Sequence, residues 1–521
     1  MIGYFGDNGD GSYCNPIIYR DYSDPDVIRV GNDYYMTAGS FCNTPGLPIL
    51  HSRDLVNWSL ISYALENIPF ESYSVPRHGC GVWAPSIRYF NGEFIIFFPM
   101  PDEGIFTVRT QDPAGKWSDP VCVYEGAGWI DPCPFTDDDG KCYMVNAFAK
   151  SRIGFKSRLQ IAELSPGLDK ITSVPVMVFD GEAADNETIE GPKLYKHNGW
   201  YYIFAPAGGV KQGWQTVLRS KNIYGPYEHR RVMEQKDTPI NGPHQGAWID
   251  TPSGEDWFIH FQDVNTGGRI VHLQPMKWVD DWPVIGTAAE GESCGKPVIR
   301  YRKPNISNED GTLVKKHFES KEDVLNWQWN ANHKDDWAEF RPYSHMGDEH
   351  CKYRIRLKSV AGADSVSDQP NLLLQKWPAP AFEVKTKLAT AQMKEDDEAG
   401  MICMGETYGA VGILKTGKGF EIRTVFGKQR FENEKAHAHD EVRTVFSKEG
   451  GPETGEEIWF MMGTADDIVT FSYSFDGVKY TDALAFIAAP GRWVGAKCGI
   501  YVRNIAQNEG GYAYCDSFEI T

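Results

Sequence analysis

The chain has 521 residues, of which 41% are hydrophobic and 13% aromatic, and its formal net charge is −19. This length predicts two or three domains, and no run of about 18 apolar residues exists that would cross a bilayer. The negative charge repels polyphosphates and anionic lipid surfaces, and no basic patch offsets it. We therefore expect neither a nucleic acid nor a membrane as a partner, which leaves small neutral or cationic ligands.

The N-terminus and the cysteines both indicate the compartment. The first residues, MIGYFGDNGDGSYCNP, contain neither the basic nor the apolar segment of a secretory signal, so we expect a cytoplasmic protein. The eleven cysteines are scattered from Cys14 to Cys515 without CxxC pairs. That usage is typical of reduced thiols and not of a zinc or disulfide framework.

Short strand-like segments recur through the first three hundred residues. Five times, a polar turn containing glycine leads into a run rich in aromatic residues. The five glycines are Gly31, Gly92, Gly140, Gly199 and Gly254. Their intervals of roughly 50 to 60 residues suit one four-stranded blade with its loops. The sequence therefore predicts an all-β fold that begins with a five-bladed β-propeller over residues 14–290.

A motif that contains proline precedes each glycine turn. The five motifs are Asp24-Pro25, Trp83-Ala84-Pro85, Asp131-Pro132, Glu190-Gly191-Pro192 and Gly242-Pro243-His244. If each blade begins with the strand nearest the axis, these positions converge on the central channel. A single acid at the start of a strand usually faces solvent. Three acids at equivalent points of a repeat, Asp24, Asp131 and Glu190, instead indicate a site.

Carboxyl groups that lie close together affect one another's ionisation. Like charges held close together cannot all ionise freely, so their pKa values separate and one group stays protonated near neutral pH. Glycoside hydrolysis needs this pairing, because one carboxyl protonates the leaving oxygen while another activates water. The third can raise the pKa of the acid and orient it. Trp83 offers a flat face to a sugar ring, although it could equally fill an interface between blades.

Several segments resemble glycoside hydrolase family 43, whose members are inverting five-bladed propeller enzymes that release arabinose or xylose from plant polysaccharides. They are YSDPDVIRVGNDYYMTAGSF, GVWAPSIRYFNGEF, WIDPCPFTDDDG, IEGPKLYKHNGWYYIF and GGRIVHLQPMKW. The resemblance implies that Asp24 is the general base, Asp131 the residue that modulates the pKa of the acid, and Glu190 the general acid.

The same resemblance implies further site residues. Phe41, Trp83 and Arg269 would line the subsite for the terminal sugar. His244 falls where many members of the family place an axial histidine beside a water-ligated calcium ion. A single imidazole is a poor Ca²⁺ ligand and no carboxylate cage is visible in the sequence, so a buried, hydrogen-bonded histidine is the alternative. The chemistry requires no cofactor, and calcium at the propeller axis is left open.

The second half of the chain follows a different pattern. Residues 291–316, rich in Gly and polar residues, are predicted to be a linker. Residues 317–521 contain segments such as AFEVKTKLAT and IVTFSYSFDG, which alternate apolar and polar residues as sandwich strands do. This half resembles the concanavalin-like sandwich attached to several branches of the family. Its expected role is to wall off the mouth of the site, with independent carbohydrate binding as the alternative.

The expected function is that of an exo-acting, inverting glycosidase. It would release terminal α-L-arabinofuranose, and also β-D-xylose, from small plant-derived oligosaccharides. The alternatives are a main activity on β-D-xylosides, a noncatalytic sugar-binding propeller and an endo-acting arabinanase. A retaining β-fructosidase is disfavoured by Ile130 and Gly191, where those enzymes carry arginine and cysteine. The sequence specifies neither the natural polysaccharide nor the oligomeric state.

Overall fold

A computed structural model describes residues 5–305, 322–342, 353–432, 435–449 and 457–521. Their secondary structure is almost entirely β, which confirms the predicted all-β class. The described helical segments are short: Glu71–Tyr73, Lys150–Ile153, Asn265–Gly267, Glu322–Leu325 and Val366–Asp368. None of the helices described is long and apolar enough to cross a membrane.

Five antiparallel sheets of four strands follow one another along the first half of the chain, and within each sheet the strands lie in chain order. Sheet 1 contains Asp26–Val30, Asp33–Thr37, Gly46–Ser52 and Trp58–Leu65. Sheet 2 contains Ser86–Phe90, Glu93–Met100, Gly104–Thr110 and Val121–Glu125, and sheet 3 contains Trp129–Thr136, Cys142–Phe148, Arg158–Leu164 and Val176–Asp180. Sheet 4 contains Lys193–His197, Trp200–Ala207, Trp214–Ser220 and Glu228–Glu234, and sheet 5 contains His244–Asp250, Asp256–Asp263, Arg269–Val279 and Trp282–Ile285.

The predicted glycine turns join the first and second strands of these sheets. In sheets 2 and 4 the turn is Asn-Gly with both residues at positive φ, which is 51° and 86° for Asn91 and Gly92 and 49° and 70° for Asn198 and Gly199. Such turns match the right-handed twist of the strands they connect, and glycine adopts this conformation without a steric penalty. The turn chemistry therefore sets where each first strand ends.

The first strands of the sheets face one another. The first strand of sheet 1 contacts those of sheets 2 and 5, and the first strand of sheet 3 contacts those of sheets 2 and 4. Buried polar groups connect them. Asp26 accepts hydrogen bonds from Ile87 N and from the Arg88 guanidinium, at 2.7 and 2.6 Å. Lys193 Nζ donates to Pro85 O at 2.9 Å and to Ser86 Oγ at 2.7 Å.

Part of the predicted linker has regular structure. Arg300–Arg302 pairs with Ser12–Cys14, which in turn pairs with Gly6–Asp7, so that this segment returns to the N-terminal end of the chain. Residues 306–316 of the predicted linker lie outside the described residues.

The second half forms a sandwich of two sheets around a buried apolar core that includes Trp377, Met401, Ile422, Phe460 and Ile500. One sheet contains Gln328–Trp329, Leu373–Lys376, Lys497–Asn504, Asp397–Met404, Thr407–Thr416, Gly419–Glu432 and Lys435–Glu449, with Val360–Ala361 beside Lys497–Asn504. The other contains Ala338–Pro342, Tyr353–Lys358, Tyr512–Ile520, Phe382–Ala389, Glu457–Ala465, Ile468–Ser474 and Thr481–Ile487.

Polar contacts join the sandwich to sheet 1 and the loops around it. Thr44 and Trp329 exchange two backbone hydrogen bonds, with N···O distances of 3.2 and 2.6 Å. Asn332 receives a hydrogen bond from Ile68 N and donates one to Ile68 O, each at 2.8 Å. Lys497 Nζ donates to Asn43 Oδ1 at 2.6 Å. The sandwich thus lies against the loop that carries residues 39–45.

Candidate active site

The three predicted acids lie at or near the beginnings of first strands. Asp24 precedes Asp26–Val30, Glu190 precedes Lys193–His197, and Asp131 lies at a register shift within Trp129–Thr136. Asp24 and Asp131 both have positive φ, 55° and 56°, which is uncommon for residues other than glycine. Backbone of this kind is found where a side chain must be aimed at a site. The structure brings the three acids together, and their catalytic roles stay predictions.

Asp24 is bound by Arg269, as the resemblance implies. Arg269 Nη1 lies 3.0 Å from Asp24 Oδ1 and 2.8 Å from Oδ2, and both side chains are buried. Ser23 Oγ accepts from Arg269 Nη1 at 2.7 Å and donates to Asp24 Oδ2 at 2.5 Å. The orientation of Asp24 is therefore determined by a guanidinium and a hydroxyl, which suits a group that acts as a carboxylate.

Asp131 lies in a different environment. Burial, followed by the negative charges of Glu190 and Asp24, raises the pKa of Asp131 to about 8. One hydrogen bond, from Gly191 N at 2.8 Å, partly offsets these effects. The pKa of Asp131 is thus higher than that of an ordinary aspartate, and the expectation that one proton remains in this cluster near neutral pH stays a prediction.

Glu190 contacts His244. His244 Nε2 lies 2.8 Å from Glu190 Oε1, and the histidine is fully buried. Burial acts to raise the pKa of Glu190, but the hydrogen bond to His244 and the electrostatic effects of His244, Arg269 and Lys156 outweigh it, so the pKa lies below its usual value. The sequence patterns did not reveal the contact with His244. The expectation that Asp131 keeps Glu190 protonated stays a prediction.

Aromatic side chains form one wall near Asp24. The rings of Phe41 and Trp83 lie 6.1 Å apart, and Gly39, whose N donates to Ser23 O, lies against the Trp83 backbone. Trp493 of the sandwich packs against Trp83 with ring centroids 6.5 Å apart, and 42% of its surface is exposed. Sequence analysis missed Trp493, because the segment AAPGRWVGAK carries no catalytic motif and its place depends on docking of the sandwich.

His244 does not offer a calcium cage. Its Nε2 is engaged by Glu190, and its Nδ1 is buried without a hydrogen-bond partner. Within the described ranges, no group of three or more His, Cys, Asp or Glu side chains could hold a metal ion. Since Ca²⁺ prefers six to eight oxygen ligands, a single nitrogen does not fit it, and the chemistry below uses no metal. Calcium binding stays a prediction.

A cavity of about 970 Å³ lies at the other ends of the first strands. Residues such as Arg29, Phe90, Thr136, His197 and Asp250 line it. The three acids do not, so this space is separate from the carboxyl cluster.

The fold and the carboxyl cluster define a class of protein, a carbohydrate-cleaving β-protein with a sandwich packed beside its acidic site. Glycosyl hydrolases family 43 matches residues 13–283, and a β-xylosidase C-terminal concanavalin A-like domain matches residues 315–521. The chain belongs to glycoside hydrolase family 43 and is therefore a glycosidase that acts on oligosaccharides.

Relatives with both halves support the assignment. A putative beta-xylosidase from Xylanibacter ruminicola is 38% identical over 501 residues, which covers 95% of this chain and 87% of that protein. The non-reducing end alpha-L-arabinofuranosidase BoGH43B from Bacteroides ovatus is 27% identical over 78% of this chain and 76% of that protein. The crystal structure of the GH43 BlXynB protein from Bacillus licheniformis has a TM-score of 0.78 at 25% identity, over 98% of this chain and 99% of that one.

Proposed function

We propose that the chain is an exo-acting, inverting glycosidase that removes terminal α-L-arabinofuranose, and also β-D-xylose, from plant-derived oligosaccharides. The observation that carries this proposal is the contrast between Asp24, bound by the guanidinium of Arg269, and the buried Asp131 beside the partly exposed Glu190, where burial and the neighbouring negative charges raise the pKa of Asp131. Carboxyl groups in such different environments can serve as base and acid in one site.

In this mechanism Asp24 takes a proton from water as that water attacks the anomeric carbon. Glu190 protonates the leaving oxygen, and Asp131 modulates and orients Glu190. About 28% of the Glu190 side chain is exposed in the free site. A bound sugar would displace water from this surface, and further burial raises the pKa of a carboxyl group. Substrate binding would therefore favour the protonated form of Glu190, which the general acid requires.

We infer that the five sheets are the blades of one closed propeller over residues 14–290, followed by the linker 291–316 and the sandwich 317–521. The contact between the first strands of sheets 5 and 1 supports closure. A cytoplasmic location also stays a prediction, which fractionation of the native cells would test.

A second candidate is β-D-xylosidase as the main activity. The Xylanibacter ruminicola relative, and a Formosa agariphila protein 29% identical over 99% of this chain, are both named beta-xylosidases. Hydrolysis rates on matched nitrophenyl α-L-arabinofuranoside and β-D-xylopyranoside would distinguish the two candidate activities. A higher kcat/KM on the arabinofuranoside supports the first proposal, a higher value on the xylopyranoside supports the second, and binding without turnover on either removes both.

Inversion has its own test. A base that acts through water needs about 6.5 to 9.5 Å between the two carboxyls, whereas a nucleophile needs a closer approach. Proton NMR of the first sugar released should show the anomeric configuration opposite to that of the substrate. A product of the same configuration would recast Asp24 as a nucleophile.

A further inference from the structure

Asp21 lies three residues before Asp24, buried where the two halves of the molecule meet, with 4% of its surface exposed. Its Oδ1 accepts a hydrogen bond from Arg269 N at 2.9 Å, and its Oδ2 accepts one from Gly495 N at 3.0 Å. The first partner belongs to sheet 5 and the second to the sandwich. One carboxylate thus joins backbone segments that come from different halves of the chain.

The two backbone segments that Asp21 binds carry residues from different parts of the site. Arg269 carries the guanidinium that binds Asp24, and its backbone O also accepts from Tyr22 N at 3.0 Å. Gly495 follows Trp493 by two residues, and the Trp493 ring packs against Trp83. The first connection therefore concerns the proposed base, and the second concerns the aromatic wall.

The two segments also touch directly, with little space between them. A Cβ atom added to Gly268 would lie 2.6 Å from the Gly495 backbone, and one added to Gly495 would lie 3.0 Å from Gly267 O. Contacts this short require glycine on both sides of the junction. The spacing between the sandwich turn and the strand that starts at Arg269 is consequently set by backbone packing as well as by Asp21.

Lysine side chains from the sandwich face the same acid. Lys376 Nζ donates to the backbone O of Asp21 at 2.6 Å and Lys376 is half-buried, whereas Lys497 is buried at this junction. Burial lowers the pKa of each lysine, while the negative charge of Asp21 acts in the opposite direction. A neutral side chain at position 21 would leave these cations and Arg269 with less compensating charge.

We propose that Asp21 is a positioning residue that holds Arg269 and the Gly495 turn in one register, so that docking of the sandwich sets the geometry of the base and of the aromatic wall. The inference rests on the proposed glycosidase function. This role of Asp21 differs from a purely structural one, because the hydrogen bonds to Arg269 and to Gly495 are each expected to have a kinetic effect.

The test compares three variants of the full-length chain. Asp21→Asn keeps the shape but places an NH₂ group against Arg269 N or Gly495 N, so one of these donors loses its acceptor. Gly495→Ala keeps both hydrogen bonds of Asp21 but crowds the junction, because the added Cβ would lie 3.0 Å from Gly267 O and from Gly268 Cα. The matched control, Asn332→Asp, makes the reverse exchange at another contact between the halves, where it breaks one hydrogen bond with Ile68. Thermal unfolding establishes that each variant is folded.

Steady-state kinetics on the better nitrophenyl glycoside should separate the variants. For Asp21→Asn we expect kcat/KM to fall by about 10- to 100-fold, through a lower kcat and a higher KM, the effect of losing a charged buried hydrogen bond. Gly495→Ala retains both acceptors of Asp21, so it should raise KM and lower kcat less than Asp21→Asn does, and Asn332→Asp should change neither. If kcat and KM of Asp21→Asn both match those of the control, the proposal is wrong.

Amide hydrogen exchange gives a readout that does not depend on turnover. In Asp21→Asn at least one of the amides of Arg269 and Gly495 should exchange about tenfold faster than in the wild type, whereas Asn332→Asp should leave both unchanged. Unchanged exchange at both amides in Asp21→Asn would overturn the proposal. If the wild-type chain cleaves no glycoside, the proposed function fails, and the exchange rates alone decide whether Asp21 holds the two segments.

Discussion

Asp24 and Glu190 contact different residues, so replacing each of them should affect the stability of the protein differently. We expect Asp24→Ala and Glu190→Ala each to lower kcat by at least about 1,000-fold, because the base or the acid is lost. Asp24→Ala also leaves the buried guanidinium of Arg269 without its carboxylate, so its Tm should fall more than that of Glu190→Ala. Steady-state kinetics measure kcat, and thermal unfolding measures Tm. Near-normal activity of either variant removes that residue from its role.

The raised pKa of Asp131 predicts how stability depends on pH. Its folded-state pKa of about 8 lies above the ordinary value of 3.8, so the folded protein binds this proton more tightly than the unfolded chain. The stability that this proton provides is complete below pH 3.8 and is lost as the pH rises through about 8.

Asp131→Asn is permanently neutral and has no such dependence. We therefore expect the Tm of this variant, relative to that of wild type, to rise from about pH 5 to about pH 8 and to level off above. Thermal unfolding across this range measures the difference. Asp139→Asn, at an exposed position in the same sheet, is the control. A constant difference would mean that Asp131 titrates normally in the folded protein.

At the scale of strands and turns, the features that could be predicted from the sequence are those that depend on local residue patterns. The Asn-Gly pairs at 91–92 and 198–199 and the repeated proline motifs predicted the hairpins and the meeting of Asp24, Asp131 and Glu190, because turn type and repeat position are local signals. The pairing of Arg300–Arg302 with Ser12–Cys14 was missed. A strand of three residues whose partner lies almost 300 residues away carries no periodicity that a sequence could show.

The ion pair of Asp26 and Arg88 joins the first strands of sheets 1 and 2, and Asp26 is fully buried. Replacing Asp26 with Asn leaves the guanidinium without its counter-charge. Because breaking a buried pair from one side costs about 3 to 5 kcal/mol, we expect a clear loss of Tm. The exposed pair of Asp139 and Lys141, 3.5 Å apart, gives the control Asp139→Asn, with little change expected. Equal Tm values for the two variants would show that the pair between the sheets does not stabilise the fold.

At the scale of the whole molecule, the aromatic wall is built from both halves. Phe41 and Trp83 come from the first half and Trp493 from the sandwich, and Trp493 is held with a φ of 65°. The resemblance indicated the first two residues through motifs. Trp493 lies 410 positions after Trp83 and meets it only because the sandwich docks beside sheet 1, so no local pattern could reveal the contact.

This wall leads to a prediction about products. If Trp493 closes the pocket beyond the terminal sugar, only the end of an oligosaccharide can enter, and the enzyme should release a monosaccharide from the first turnover. Trp493→Ala removes the ring that packs on Trp83, so KM should rise about 10-fold, as for loss of an aromatic contact worth about 1.4 kcal/mol. Chromatography of early products and steady-state kinetics measure both effects.

Phe475→Ala is the matched control, because Phe475 is a similarly exposed aromatic residue of the sandwich, at 46% against 42%, and its ring contacts within the described residues are with Phe420, Phe446 and Tyr473 of the same domain. Its KM should equal that of wild type. Early release of disaccharides or longer fragments by the wild-type enzyme would contradict a closed pocket, since those products require a groove that is open on both sides of the acids. In that case Trp493 would be a contact between the halves and not a wall of the substrate site, and the sandwich would have to act on catalysis through Asp21 and Arg269 alone.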